Sequence, residues 1–504
     1  MKKSFFVSTP IYYPSGNLHI GHAYTTTLAD VIARYKKEQG YDVYFLTGSD
    51  EHGQKIELKA KEANQTPKDY VNQIVKTFKT LWKNLNINYD KFIRTDDKDH
   101  INAVQEAFSL LLKKDLVYLS NYSGKYCLSC EEFLKTDQMD SAFVHNVCFK
   151  TAIDFQEETY MLRVSMFRSY LNDLFKTNFL EPESRKNEML TSFINNELED
   201  LSITRINFSW GIPVLENKKH VIYVWFDALL SYISALGWGN EDNTLLDKFW
   251  TNGEVLQLIG KEITRFHSIY WPILLKSINL KTPDKLLSHG WILSKNIKMS
   301  KSIGNIVDPL ELIDTYGADA LRFYIINNLP TNKDGSFSEE LFIESFNTNL
   351  ANNIGNLISR VTNMIIKYFD GILPKVKIEE NHLSKLGNKT IKEYEMLMDN
   401  YNMSEAVQVV LKLGSECNKF IEDEKPWSLE KENNQDKLTQ ILLILQKNII
   451  IIIYLLKPIL TDSYDKMIDQ MGLKNKNINF DSLKEHNFEF DKIILKDVLY
   501  KRIK

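Results

Sequence analysis

Phe5-Phe6-Val7-Ser8-Thr9-Pro10-Ile11-Tyr12-Tyr13-Pro14-Ser15-Gly16-Asn17-Leu18-His19-Ile20-Gly21-His22 is the stretch that decides the fold. Its first half, Phe5 to Tyr13, is rich in aromatic and β-branched residues and predicts a buried strand. Pro14-Ser15-Gly16-Asn17 reads as a turn. From Gly21 to Gln39 the apolar spacing turns helical, through Leu28, Ile32 and Tyr35, and Gly40 supplies the stop. Asp42 to Thr47 predicts a second strand. Strand, helix, strand at this spacing is a βαβ unit, so the class is α/β with a parallel sheet. Ligands of such sheets gather at the carboxyl ends of the strands, here Thr9 to Tyr13 and Gly48 to Gly53.

His19 and His22 bracket the point where loop becomes helix. A helix N-terminus presents backbone N–H groups and partial positive charge, which suits phosphate. Gly21 permits close approach of a ring or phosphate to the backbone. Two imidazoles at a helix start also serve as a simple surface cap, so the pair needs a second feature. Lys298-Met299-Ser300-Lys301-Ser302 provides it. Two lysines three residues apart, with hydroxyls between and after them, can neutralise charge developing on a leaving pyrophosphate.

Working outward, Val221 to Phe226 and Val255 to Ile259 read as strands that resume the sheet. Residues 117–216 break the alternation and carry three of the four cysteines, which predicts an inserted module. There Cys127-Leu128-Ser129-Cys130 and His145-Asn146-Val147-Cys148 have the pair spacing of a zinc knuckle. The alternative is three buried thiols and a surface imidazole. From Phe337 the chain reads as successive helices. The expected division is therefore a sheet domain (1–116 and 217–290), the insertion (117–216), a connecting segment (291–336) and a helical domain (337–504).

A length of 504 residues implies several domains. Hydrophobic residues at 43% and charged residues at 25% describe a globular protein, and a net charge of -4 excludes a chain coated in basic charge. Sparse cysteine fits a reducing compartment. Ile441 to Leu460 is nearly long enough to span a bilayer, but Gln446, Lys447, Asn448 and Lys457 interrupt it. It reads as a buried bundle helix, with no membrane and a cytoplasmic location.

The two signature segments resemble those of class I aminoacyl-tRNA synthetases. Ser8-Thr9-Pro10-Ile11-Tyr12-Tyr13, Thr47-Gly48-Ser49-Asp50-Glu51-His52-Gly53, Val224-Trp225-Phe226-Asp227-Ala228 and Phe266-His267 narrow the resemblance to the methionyl-tRNA synthetase family. The chain has no room for the large editing insertion of the leucyl, isoleucyl and valyl families.

The resemblance implies a Rossmann-like parallel-sheet catalytic domain, an inserted zinc-knuckle-type connective module and a C-terminal all-α anticodon-binding bundle. It implies activation of L-methionine with ATP-Mg and transfer to tRNA(Met), including the initiator. His19, His22, Lys298 and Lys301 would handle phosphates, with Gly21, Ser300 and Glu262 also in the ATP site. Glu262 stands where the family usually has Asp, and it reaches further. Asp50 would take the ammonium, and Ile11, Tyr13, Trp225, Ala228, Tyr232, Ile263 and His267 the side chain. Such a pocket rejects near-isosteres weakly, so some misactivation of homocysteine is expected. Asn356, Arg360 and Trp427 would read the anticodon; from composition alone, Trp427 after Pro426 is a helix-start packing residue. Cys127, Cys130, His145 and Cys148 would hold one structural zinc, remote from the chemistry, and the expected assembly is a monomer. Small nucleotidyltransferases share the first motif but are shorter and lack the helical domain. A non-catalytic tRNA-binding paralogue would be expected to have lost a signature lysine or histidine, and all are present.

Overall fold

The computed structural model describes residues 2–127, 132–134, 139–146, 149–294, 297–298, 307–473, 478–485, 488–494 and 497–503. The chain forms two compact units. The first comprises Met1–Leu18, Asp42–Leu81 and Asn88–His289; the second comprises His19–Tyr41, Trp82–Ile87 and Gly290–Lys504.

The first unit is built on a six-stranded parallel sheet: β1 (Ser4–Tyr12), β2 (Asp42–Ser49), β3 (Lys91–Arg94), β4 (Leu180–Glu181), β5 (Glu254–Gly260) and β6 (Lys285–His289). The order is β3-β2-β1-β5-β6-β4, with Phe5 paired to Val43 on one side and to Glu254 on the other. Helix α1 (Ile20–Glu38) joins β1 to β2 along the chain, and α2 (Lys98–Lys113) follows β3. Phe6, Leu46, Val255, Ile259, Trp250 and Trp271 belong to one buried core. Strands buried on both faces are expected of parallel sheets, and β1 and β5 read as near-continuous apolar runs for that reason.

An antiparallel four-stranded sheet lies within residues 117–202, in the order Glu132–Leu134, Val117–Cys127, Ile153–Leu162, Leu201–Ser202. The expected strand at Val221–Phe226 is not one. Only Val221–Ile222 is extended, paired antiparallel with Thr204–Arg205, outside the parallel sheet. Helix α3 (Val224–Ser234) begins immediately after. Its residues are buried nearly all round, and a short apolar run buried on every side looks the same in sequence whether strand or helix.

The second unit contains α1, a three-stranded sheet (Ile297–Lys298, Ile292–Ser294, Gly335–Phe337), and the helices α4 (Ala318–Asn328), α5 (Asn356–Phe369), α6 (His382–Asp399), α7 (Met403–Glu424) and α8 (Gln435–Leu456). Helix α8 is apolar and long enough to cross a membrane, but 83% of its apolar window is buried inside the protein. It is the core helix of this unit, and Cys417 on α7 is buried in the same unit.

Candidate active site

Helix α1 opens on a reciprocal cap. His19 Nδ1 accepts from Gly21 N–H at 3.1 Å, and His22 Nδ1 accepts from His19 N–H at 3.0 Å. The rings lie 4.0 Å apart. With Nδ1 accepting, the proton of each neutral ring sits on Nε2, which makes Nε2 the donor. Gly21 leaves room for the capping ring: a Cβ there would lie 2.8 Å from His19 Cε1 and push it aside. The first turn carries no acidic residue, so no carboxylate offsets its positive end.

Lys298 closes the strand Ile297–Lys298. Ser300 and Lys301 lie outside the described residues. The chain on their far side is fixed, because Val307 accepts a backbone bond at 3.2 Å from Ile20, the first residue of α1.

In the first unit the ends of β1 and β2 meet where Asp50 N–H donates to Tyr12 C=O at 3.0 Å. Asp50 lies on a strap whose next residue is clamped. Arg94 grips the Glu51 carboxylate with Nε at 2.6 Å and Nη2 at 2.7 Å, and Trp210 Nε1 donates to Glu51 C=O. Trp225, Ala228 and Tyr232 sit at helical spacing on α3. The Trp225 ring stacks on Phe266 at 3.8 Å and meets His267 edge-on at 6.3 Å. Tyr232 Oη lies 2.8 Å from His267 Nε2, and His267 Nδ1 lies 3.1 Å from Ile263 C=O. Burial pushes the His267 pKa down to about 4, so the ring is neutral. Nδ1–H donates to the carbonyl, and Nε2 accepts the Tyr232 hydroxyl. Burial, reinforced by neighbouring Tyr12 and the Asp50 carboxylate, keeps Tyr232 protonated.

The structure therefore brings Trp225, Tyr232, Ile263 and His267 together, with Ile11, Tyr13 and Asp50 at the strand ends. Phe266, assigned no role from sequence, stacks on Trp225; its place beside His267 was the available signal. Glu262 is exposed, with its carboxylate over Gly260, where a Cβ would meet Oε2 at 2.6 Å.

Asn356 and Arg360 share a polar groove of about 400 Å³ in the second unit, together with Asn352, Asn418 and Glu422. Arg360 Nη2 bonds Glu422 at 2.6 Å. Among the described residues Trp427 does not line this groove; it is half-buried at the start of the helical turn Pro426–Lys431. Of the proposed metal ligands, Cys127 and His145 are buried. Cys130 and Cys148 lie outside the described residues. Among the described residues no three His, Cys, Asp or Glu side chains converge as a metal site.

A parallel sheet in the first unit and, in the second, a helix start suited to phosphate are features of the class I aminoacyl-tRNA synthetases. Residues 5–151 and 141–362 match the family described as tRNA synthetases class I (M), and residues 374–503 match the anticodon binding domain of methionyl tRNA ligase. The chain belongs to the methionyl-tRNA synthetases, and its activity is that of a methionine–tRNA ligase. It is 44% identical to the methionine–tRNA ligase of Ureaplasma parvum serovar 3, over 100% of this chain and 98% of that one. The Enterococcus faecalis enzyme is 43% identical over 97% of this chain and 75% of its own length. Mycobacterium tuberculosis methionyl-tRNA synthetase in complex with methionyl-adenylate superposes with a TM-score of 0.94 at 32% identity, covering 99% of this chain and 100% of that one.

Proposed function

We propose the following division of labour for the reaction. Methionine's carboxylate oxygen attacks the α-phosphorus of ATP, supplied as its magnesium complex. An O–P bond forms, the bond to pyrophosphate breaks, and methionyl-adenylate results. A ribose hydroxyl of the terminal adenosine of tRNA then attacks the methionyl carbonyl, and AMP leaves. No protein nucleophile is needed, so positioning and charge stabilisation carry the rate.

His19 and His22 donate Nε2–H to phosphate oxygens, with Gly21 giving room. Lys298, Ser300 and Lys301 approach the same phosphates, and Glu262 belongs to the ATP site. The observation that supports this reading is the bond from Ile20 to Val307, which joins the histidine-capped helix to a residue six positions beyond Lys301 in the chain. Asp50 takes the ammonium. Ile11, Tyr13, Trp225, Ala228, Tyr232, Ile263 and His267 enclose the thioether, and a neutral His267 suits an apolar sulfur. Since Tyr232 and His267 hydrogen-bond each other, the pocket offers no strong polar handle against homocysteine.

Asn356 and Arg360 read anticodon base edges, and Trp427 stacks on an unpaired base. The domains follow the boundaries 1–116 with 217–290, 117–216, 291–336 and 337–504. The test combines two assays. Methionine-dependent exchange of pyrophosphate into ATP is expected, and Trp427→Ala should keep that exchange while lowering charging of tRNA(Met) by about ten- to a hundredfold, as loss of one base stack implies. Charging that still discriminates the methionine anticodon at the parent rate rejects the Trp427 role.

A structural zinc fits the chemistry of its donor set, three thiols and an imidazole, two of which are buried. Cys127, Cys130, His145 and Cys148 would hold it within the insertion, where it stabilises the fold and takes no part in the reaction. The protein acts as a monomer in the cytoplasm. Native mass spectrometry tests both zinc content and assembly: one 58.8 kDa chain with one zinc is expected. A metal-free chain or a dimer overturns the corresponding part.

A further inference from the structure

Asp227 is an acid that neither ATP nor methionine chemistry uses, yet it is 0% exposed in the first turn of α3. Its Oδ2 accepts from His52 Nδ1 at 2.7 Å, and its Oδ1 accepts from His100 Nε2 at 2.6 Å. A carboxylate only accepts, so both rings donate. His100, on α2, meets Ser234 Oγ at 2.7 Å through its other nitrogen, so it bonds α3 near both ends. His52 stands two residues after Asp50 on the strap that follows β2. Asp227 stands between Trp225 and Ala228 on α3.

Burying this trio is expensive. Apolar residues of similar volume often give equal or greater stability than buried ions. Stability alone is therefore a weak reason for it, and geometry is a better one. Burial raises the Asp227 carboxyl, but the two imidazoles outweigh burial and hold it below the ordinary carboxylate range. The strap itself has little freedom. Asp50 N–H is bonded to Tyr12, Glu51 to Arg94, and Gly53 N–H to Trp210 C=O at 3.0 Å. The bond from His52 to Asp227 joins this strap to α3.

We propose that Asp227, with His52 and His100, is a positioning device for amino-acid recognition. It fixes the strap that carries Asp50 against the helix that carries Trp225, Ala228 and Tyr232. In doing so it sets the span between the ammonium and the thioether. This rests on the roles assigned above to Asp50 and α3.

The experiment uses the full chain in methionine-dependent exchange. An asparagine amide falls where Nδ1 of histidine does, so His52→Asn keeps the donor to Asp227, whereas His52→Leu removes it. His52→Leu and Asp227→Asn should raise KM for methionine by roughly ten- to a hundredfold, the scale of a displaced binding group. KM for ATP should stay near the parent value, and His52→Asn should recover most of the loss. The preference for methionine over ethionine, one methylene longer, should narrow in His52→Leu, because the span is no longer fixed. Equal losses in His52→Asn and His52→Leu, or an unchanged preference, overturn the proposal. Asp50→Asn separates the two levels. If it leaves KM for methionine unchanged, the Asp50 reading itself falls. If it raises KM while His52→Leu does not, only the positioning role falls.

Discussion

His22→Asn should lower methionine-dependent exchange by about 10²-fold while leaving thermal stability almost unchanged. The reason is the division of work on one ring. His22 Nδ1 caps α1 by accepting from His19 N–H, and an asparagine side-chain oxygen reaches the same place. Only the Nε2–H donor is lost. His22→Ala removes both functions, so it should lose the same activity and about 1 kcal/mol of helix stability besides. Lys301→Ala should lower exchange by about 10²- to 10³-fold, with smaller changes in KM for methionine and ATP. Charge on pyrophosphate develops in the transition state, so a lysine that meets it there acts on kcat more than on ground-state binding. Exchange within about threefold of the parent in Lys301→Ala would remove that lysine from the reaction. A His22→Asn protein with full exchange but unchanged melting would reduce the histidine to a cap.

The sequence offers two readings of the histidines, surface cap and phosphate handler, and the geometry bears out the cap. Each ring uses Nδ1 for the cap, and the proposed phosphate role rests on the Nε2–H donor. The βαβ unit was legible because it is local: strand, turn, helix and glycine stop, with Gly40 at φ +84 just past the helix end. The segment at Val221–Phe226 was misread because β-branched and aromatic residues fill a helix that is buried on nearly every side. The aromatic cluster around His267 was legible only through family motifs, since spacing alone made Trp225 and Tyr232 ordinary core. The polar network behind it was not legible at all. His52 and Asp227 are 175 residues apart, and His100 and Asp227 are 127 apart. No local pattern marks such partners, because each is specified by a chain crossing rather than by its neighbours.

The same holds for Arg322, whose replacement by leucine should cost about 3–5 kcal/mol, the largest stability loss expected in the second unit. Its guanidinium is 0% exposed. Nη2 meets Asp30 at 2.7 Å and Pro458 C=O at 2.7 Å, Nε meets Ile459 C=O at 2.9 Å, and Nη1 meets Leu85 C=O at 3.0 Å. Leucine fills much of the volume but leaves three carbonyls without this donor and takes the guanidinium partner from a buried carboxylate that Arg34 also meets, at 2.7 Å. The double variant Arg322→Leu with Asp30→Leu should recover part of the loss, because the buried carboxylate that lost its Arg322 partner is gone while the carbonyls remain. The urea midpoint of each variant measures this, and a midpoint within error of the parent for Arg322→Leu would refute it. Activity should fall along with stability. Asp30 is on α1, roughly 16 Å along the helix axis from His19 at 1.5 Å per residue. A helix is stiff over that length, so loosening its anchored half frees the end that bears His19 and His22. In Arg322→Leu exchange should therefore decline at temperatures where the protein is still folded, whereas the double variant, with no buried charge pulling on α1, should keep more of it.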